Sequence, residues 1–412
     1  MSSFSVPLSG LTAAQDQLQS VSNNLANINT DGYKDQTASF GDIFFQAGIT
    51  NGSGDPVQIG GGTKLAATTA NFSDGNLNAT GVPSNMALQG NGFFVTREND
   101  GLTDYTRAGD FTTDSSGRLV TSNGQLVLGY GAVNGVVTNS PVLQSISVNQ
   151  DSIAPASATS SFNITANLMS SVPVGTSSSS TFTAYDSLGT PHAFSVIYTN
   201  TGTNTWSYSV SLPAADTGGP GANTVVASGN MTFSNTGQLT SPNGTIANIN
   251  TPLADGAAPL SMTWNLDDSS GNPTITQTAS PSSTTATTQN GYSSGTLLNY
   301  SVLPDGTVEG NFSNNKSLAL GRVAIASFAN VQGLVQAGNN NYQETAASGL
   351  EIVGVAGTGG RGTVIGGSVE QSNVDIAGEF AKMIVAQQAY QANAKAVTTF
   401  DQISQATIAM KT

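Results

Sequence analysis

The chain has 412 residues, enough for two or three domains with separate cores, and only 9% of them are charged against about 25% in an average soluble domain. Eleven basic against 25 acidic residues leave a net charge of −14, which repels phosphate backbones and anionic membrane surfaces and argues against nucleic acid as a partner. With no cysteine and a single histidine, disulfides, thiolate chemistry and His-based triads or multi-histidine metal sites within one chain are excluded. The start "MSSFSVPLSGLTAAQ" shows no basic segment followed by an apolar one, and no run approaches the ~20 apolar residues that span a bilayer. The expectation is a cytoplasmic protein, or one exported by a route that reads no cleavable signal.

The first predicted element is a helix over 1–33. Phe4, Leu11, Leu18 and Leu25 recur every seven residues, and Ala14, Val21 and Ile28 repeat at the same interval offset by three, an a/d heptad stripe. Pro7 falls in the first turn, where its missing N–H costs little, and Gly32 in "NTDGYK" offers a left-handed stop. Residues 34–75 read as a Gly-rich linking segment, with "TNGSGDPVQIGGGTK" from Thr50 to Lys64 as its flexible stretch. Beyond it, short apolar runs broken at Asp100-Gly101, Asn123-Gly124, Asn243-Gly244 and Asp305-Gly306 predict β-hairpins. "GRLVTSNG" from Gly117 and "GQLTSPNG" from Gly237 predict two similar ones. Ser/Thr/Pro-rich stretches at 155–180 and 278–294 read as connections into and out of an inserted domain. The division is an inner β domain at 76–146 and 290–362 around an outer β domain at 147–289.

A second helical segment occupies 363–412. "SNVD" from Ser372 to Asp375 reads as a capping box, and Val369, Ile376, Met383, Tyr390 and Val397 step by seven. Its other seam holds Phe380 and Ala394 but is interrupted by Gln387 and Asp401, while Phe400, Ile403 and Ile408 drift off it. The fold class is mainly β with α-helical termini: heptad helices at both ends forming a coiled-coil-like inner domain, plus two β-rich domains, the outer inserted into the inner.

Residues 1–30 carry one charged side chain, Asp16, and residues 374–412 carry three acids and three bases. A water-exposed helix ordinarily shows Glu and Lys outward, whereas these show Ser, Thr, Gln, Asn and Ala. In a homopolymer each charge meets its likeness in the next subunit, so amides suit helices packed among copies of themselves. The asparagines of "SVSNNLANINTDGYKD" are read in that way. On the heptads alone, an intramolecular hairpin explains the stripes equally well; charge depletion favours self-assembly. The expected subunit-interface residues are Leu11, Ala14, Leu18, Val21, Leu25, Ile28, Ile376, Phe380, Met383, Tyr390, Ala394 and Val397.

"SGLTAAQDQLQSVSNNLANINTDGYK" (Ser9 to Lys34) and "VEQSNVDIAGEFAKMIVAQQAYQANAKAV" (Val369 to Val397) resemble the two terminal signatures of the bacterial flagellar rod and hook family. Between them "GNGFFV" at Gly90, "YTRAGDFTTDSSGRLVTSNGQLVLGY" at Tyr105, "AYDSLGTPH" at Ala184 and "GRVAIASFANVQGL" at Gly321 resemble its inner and outer β domains. Rod members lack a substantial outer domain; 147–289 fills that place here and favours the hook over a distal rod subunit. Gln388 and Asn85 depart from the family pattern, which puts particular subunit contacts in doubt. The resemblance implies a homopolymeric subunit passed through the flagellar type III export apparatus and added beneath a capping protein. Its implied neighbours are the rod and the hook–filament junction proteins, and the tube it builds transmits torque as a universal joint.

No catalytic, cofactor-binding or metal-ligating residues are predicted. "GTGGRG" satisfies G-x-G-x-x-G at Gly357, Gly359 and Gly362 but opens no helix, so a connection is expected there. Asp267-Asp268 and Asp114 precede Ser-Ser-Gly turns that lack the distal bidentate acid of a calcium loop, and His192 follows a turn. A competing class, an extracellular β adhesin, would use Trp206 and Trp264 for sugar; in alternating strands they are expected in the core.

Overall fold

The computed structural model describes residues 4–410, apart from 44–45, 51–55, 99, 139 and 150–151. Strands fill most of the chain between a helix at each end, α1 (Ser5–Ala26) and α2 (Ile376–Ala409). Contacts divide it into two units: Met1–Asn149 with Asn299–Gly310 and Ser317–Thr412, and Gln150–Leu298 with Asn311–Lys316. Among the described residues no helix is long and apolar enough to cross a membrane.

The first unit is organised by the strand Phe93–Arg97, which pairs with Thr103–Thr106 and Leu126–Val133 and, at Phe93 and Phe94, with Ile325–Ser327. Successive side chains of a strand point to opposite faces, and here both faces are covered. Phe94 joins a core with Met86, Phe111, Val127, Val323 and Ile325, while Phe93 and Val95 join another with Tyr105, Leu128 and Tyr342. Gly109 is required by close approach: a Cβ there would lie 1.5 Å from the Met86 carbonyl oxygen.

Several expectations are corrected. Helix α1 ends at Ala26, capped at Asn27, so Ile28 and Gly32 lie beyond it. Gly32 has φ +70°, and a Cβ would meet the Ala108 nitrogen at 2.4 Å; it serves a docking contact and does not stop the helix. The segment 34–75 contains strands, not a plain link: Gln36–Asp42 pairs antiparallel with Thr63–Ala70 and packs on α1, and Gln46–Thr50 pairs with Pro56–Ile59. Gln36–Asp42 and Thr63–Ala70 bury no residue fully on either face, so no apolar alternation announces them. Part of the Gly-rich stretch, 51–55, lies outside the described residues. At the other end, 363–370 is not helical; Thr363–Gly366 pairs with Met86–Gln89 and Ser368–Glu370 with Leu77–Ala79. The cap of α2 is Asp375, accepting from Ala377 N at 3.1 Å, because the backbone is still extended there.

The second unit packs two sheets around one core. One runs in order through Ser177–Tyr185, Pro191–Gly202, Thr205–Leu212, Thr224–Phe233 and Leu239–Ser241. The other contains Thr245–Thr251, Leu260–Asn265, Ser161–Met169 and Ile275–Thr278, with Ser283–Gln289 pairing Ser161–Met169. Alternate residues point inward, among them Phe162, Ile164, Phe182, Phe194, Tyr198, Trp206 and Trp264. Both tryptophans are therefore core residues. The stretches 155–180 and 278–294 hold strands where connections were expected. Asn243-Gly244 is no hairpin, since the strands on its two sides belong to different sheets.

Candidate assembly surface

Helices α1 and α2 pack on each other. Their pairing is antiparallel: the Phe4 ring lies 6.1 Å from that of Phe400, a Cβ on Gly10 would touch the Asn393 amide at 2.8 Å, and Asn24 bonds to Glu379. Along α1 the buried residues are Pro7, Ala14, Val21 and Asn24, so the Ala14/Val21 heptad seam faces inward, with Leu11, Leu18 and Leu25 half-buried beside it. Ile28 is half-buried in the turn after the helix.

Helix α2 is inverted relative to a soluble helix. Its buried residues are Glu379 and Ala386, a heptad apart and three positions beyond Ile376 and Met383. Met383, Ala394 and Val397 are half-buried, whereas Ile376 and Phe380 are each 49% exposed and Tyr390 is also exposed. The predicted stripe thus lies beside the contact with α1, which holds Glu379 against Asn24 instead. Five further bulky residues on α2 are exposed that the heptad reading left out of the interface: Ile384 (54%), Val385 (61%), Phe400, Ile403 and Ile408. A helix that turns small and polar residues inward and large aliphatic ones outward presents a surface that only another apolar surface satisfies.

The asparagines of the opening helix are engaged within the chain, against their reading as intersubunit amides. Asn24 is buried; its Nδ2 donates to Gln36 O at 2.8 Å, Glu379 Oε2 at 3.1 Å and the Asp35 carboxylate, and its Oδ1 accepts from Gln36 N and Tyr33 Oη. Asn23 donates to Tyr33 Oη, and Asn27 donates to Asn23 O. Burial raises the Asp35 carboxyl, with Lys382 pulling it down and Glu379 pushing it further up. Burial and the Asp35 carboxylate push Tyr33 up to about 12. The hydrogen bond from Lys382 to Glu379 raises the lysine.

A second polar node lies one strand away. Lys34 Nζ meets Glu370 Oε1 at 2.6 Å with both side chains fully buried, and Arg107 Nη1 meets Glu370 Oε2 at 3.4 Å. Gly75 N donates to Glu370 Oε1 at 2.8 Å, Gly32 N to Glu370 O at 2.7 Å, and Arg107 Nη2 to Gly90 O at 2.6 Å. Burial lowers the Lys34 pKa, and Glu370 works in the opposite direction. Asn373 takes its backbone partners from Asn71, Ser73 and Asp35. Three motifs distant in sequence, "DGYKD", "YTRAGD" and "VEQSN", therefore meet around Glu370 and Asn373, and Arg107 links them to "GNGFF" through Gly90 O. The periodicity of the terminal segments carries no signal of this node.

The motifs weighed for other chemistry are turns. Gly357 N donates to Gly362 O across the glycine-rich loop, and a strand follows it. Asp114 Oδ1 accepts from Ser116 N and Arg118 N, and Asp268 Oδ1 from Ser270 N and Asn272 N, as in ordinary Asx turns.

Comparison with known proteins agrees with this plan at both ends and in the middle. A model described as "Flagella basal body rod protein" matches residues 5–34, and "Flagellar basal body rod FlgEFG protein C-terminal" matches 365–410. "Flagellar hook protein FlgE/F/G D1 domain" matches 87–167 and "Flagellar basal body protein FlaE D2 domain" 149–292. An axial component of the bacterial flagellum is the class these matches define. The flagellar hook protein FlgE of Escherichia coli (strain K12) is 35% identical over 419 residues, covering 97% of this chain and 98% of that one. That of Treponema pallidum (strain Nichols) is 31% identical over 461 residues, with 98% of each covered. The crystal structure of Helicobacter pylori flagellar hook protein FlgE2 shares the fold, with TM-score 0.51 and 16% identity over 70% of this chain and 98% of that one. The chain belongs to the flagellar hook protein FlgE family, and is a structural subunit of the flagellar hook. The family is not one of enzymes, and its place is the hook and basal body.

Proposed function

We propose that the subunit polymerises by burying the outer face of α2 and the half-buried flank of α1 against the helices of neighbouring copies. The resulting inner wall belongs to a curved, flexible tube that carries torque from rod to filament as a universal joint. The observation that carries this reading is the polarity of α2, with Ile376, Phe380, Ile384, Val385 and Tyr390 outside and Ala386 inside. The near absence of charge on α1, Asp16 alone between residues 5 and 26, removes like-charge repulsion between copies. All twelve residues expected at the interface flank or lie on this helical pair, and Ile384, Val385, Ile403 and Ile408 join them. Family membership supports the rod, the hook-capping protein and the hook–filament junction proteins as neighbours. It likewise supports passage through the flagellar type III export apparatus without a cleavable signal, to a place outside the cell.

The test is the double substitution Ile384→Ser/Val385→Ser in the full chain, followed by sedimentation and electron microscopy under polymerising salt. Native far-UV circular dichroism with loss of tubes is expected. Tubes of normal length from the double variant would overturn the proposal.

A further inference from the structure

The one histidine of the chain sits in the inserted unit, 4% exposed, at the start of the strand Pro191–Gly202. The turn before it begins at Asp186, which is fully buried and divides its carboxylate between two tasks. Asp186 Oδ1 accepts from Leu188 N and Thr190 N at 2.8 Å each, which closes the turn. Asp186 Oδ2 hydrogen-bonds His192 Nε2 at 3.1 Å. Asp255, on the loop before Leu260–Asn265, brings its Oδ2 to 3.6 Å from the same nitrogen. One ligand atom from each of Asp186, His192 and Asp255 falls within 4.8 Å of the others. Behind the ring, Nδ1 faces Asp216 Oδ2 at 3.1 Å, from the short helical turn Ala214–Thr217.

His192 is thus hydrogen-bonded to carboxylates on both ring nitrogens, and the tautomer it takes decides what Nε2 offers. When Nδ1–H donates to Asp216, the lone pair of Nε2 points between two carboxylate oxygens, and three electron-rich atoms then converge on one point. A cation placed there satisfies all three. The loops are held in place by hydrogen bonds: Ala254 N donates to Asp216 O at 2.9 Å, Ala258 N to Ser187 Oγ at 3.0 Å, and Ala257 N to Asp255 Oδ1 at 3.0 Å.

We propose that Asp186, His192 and Asp255 bind one divalent transition-metal ion, with Asp216 positioning the imidazole. One nitrogen and two carboxylate oxygens, with water completing the shell, suit Zn²⁺ and its first-row neighbours; the imidazole disfavours Ca²⁺ and Mg²⁺, which take oxygen ligands. The ion ties the turn at Asp186 to the loop at Asp255, a staple in a chain that has no cysteine.

The experiment titrates chelator-treated, full-length monomer with Zn²⁺ by calorimetry and with Co²⁺ by visible absorption. One ion per chain, a Co²⁺ d–d spectrum, a shifted His192 Nε2 resonance and a raised unfolding midpoint are expected. Asp255→Asn lies on a solvent-reaching loop and should keep the metal-free midpoint while weakening affinity at least tenfold. Asp216→Asn, which keeps an oxygen to accept from Nδ1–H, should weaken it ~10–100-fold while one ion per chain still binds, the mark of a positioning residue. Absence of stoichiometric binding, equal affinity in Asp255→Asn and the parent chain, or a metal-free imidazolium that persists at neutral pH with Zn²⁺ in excess would each overturn the site. None of these readouts depends on polymerisation.

Discussion

Asn24 of α1 donates to Glu379 of α2 at 3.1 Å, a buried bond between residues 355 positions apart. The same amide group serves Asp35, Gln36 and Tyr33, so one side chain fixes the turn after α1, the first strand and the start of α2 together. Asn24→Leu keeps the branched shape but removes the hydrogen bonds to Asp35 and the Gln36 backbone and leaves Glu379 with Lys382 alone. The expected loss is ~2–3 kcal/mol of inner-unit stability, read from denaturant unfolding of the monomer. Asn24→Asp should be worse, since it adds a third carboxylate beside Asp35 and Glu379. A neutral effect of Asn24→Leu would show that the helical pair is positioned by its apolar seam instead.

The Lys34–Glu370 pair calls for a double-mutant cycle. Glu370→Gln strands two buried cations, Lys34 and Arg107, and Lys34→Met leaves Glu370 with Arg107 and the Gly75 amide. Breaking a buried pair by one partner costs about 3–5 kcal/mol, while removing both is far gentler. The Lys34→Met/Glu370→Gln double variant should therefore lose clearly less than the two singles summed. Strict additivity in urea unfolding would mean that the pair does not interact in solution.

Asp35 sets a pH dependence of opposite sign to the usual carboxylate. Its folded pKa lies above the ordinary value because burial outweighs the pull of Lys382. The folded state consequently holds this proton to higher pH than the unfolded chain does. Its contribution to stability is complete below the ordinary aspartate pKa and is lost as pH rises through the raised value. Lys382→Met removes the opposing pull and should move the Asp35 carboxyl resonance to titrate higher still. Asp35→Asn should flatten the decline in stability over the same window. A carboxyl titrating at or below the ordinary aspartate value in the parent chain would refute this.

The parts of the fold that sequence discloses are those where one physical signal dominates. Phe182, Phe194, Tyr198 and Trp206 take alternate, inward positions in their strands, so that sheet is legible, whereas Phe162, Ile164 and Leu168 of the facing sheet fall in a stretch read as a connection. Leu11, Ala14, Leu18 and Val21 disclose the α1 seam in the same way. What stays hidden is tertiary. The strands Gln36–Asp42 and Thr63–Ala70 carry polar residues toward solvent on both faces and give no period to read. The face of α2 that meets α1 carries Glu379 against Asn24, a placement invisible to a heptad count that follows Ile376, Met383 and Tyr390. Likewise, Glu370 and Arg107 are single charges in their own strands, and only the pairing of Ser368–Glu370 with Leu77–Ala79 brings one to the other.

The inserted unit offers a cut that separates its role from that of the helices. Its entering and leaving strands pair with each other at Ile153 and Thr296 and at Ala154 and Gly295, so the unit closes on itself beyond residue 289. Deleting 147–289 would strip Gly295 and Thr296 of that partner and leave an unpaired strand edge, which invites aggregation. Deleting 150–298 behind a short Gly-Ser link, with the hairpin tip Asn311–Lys316 replaced by Asn-Gly, removes the whole unit and its edge together. This second chain should keep the unfolding midpoint of the inner unit and still polymerise, because α1, α2 and the Glu370 node are untouched. Its tubes should be straight under the electron microscope if polar contacts between outer units set the curvature of the hook. Supercoiled tubes from it would transfer that role to the inner unit and the helices.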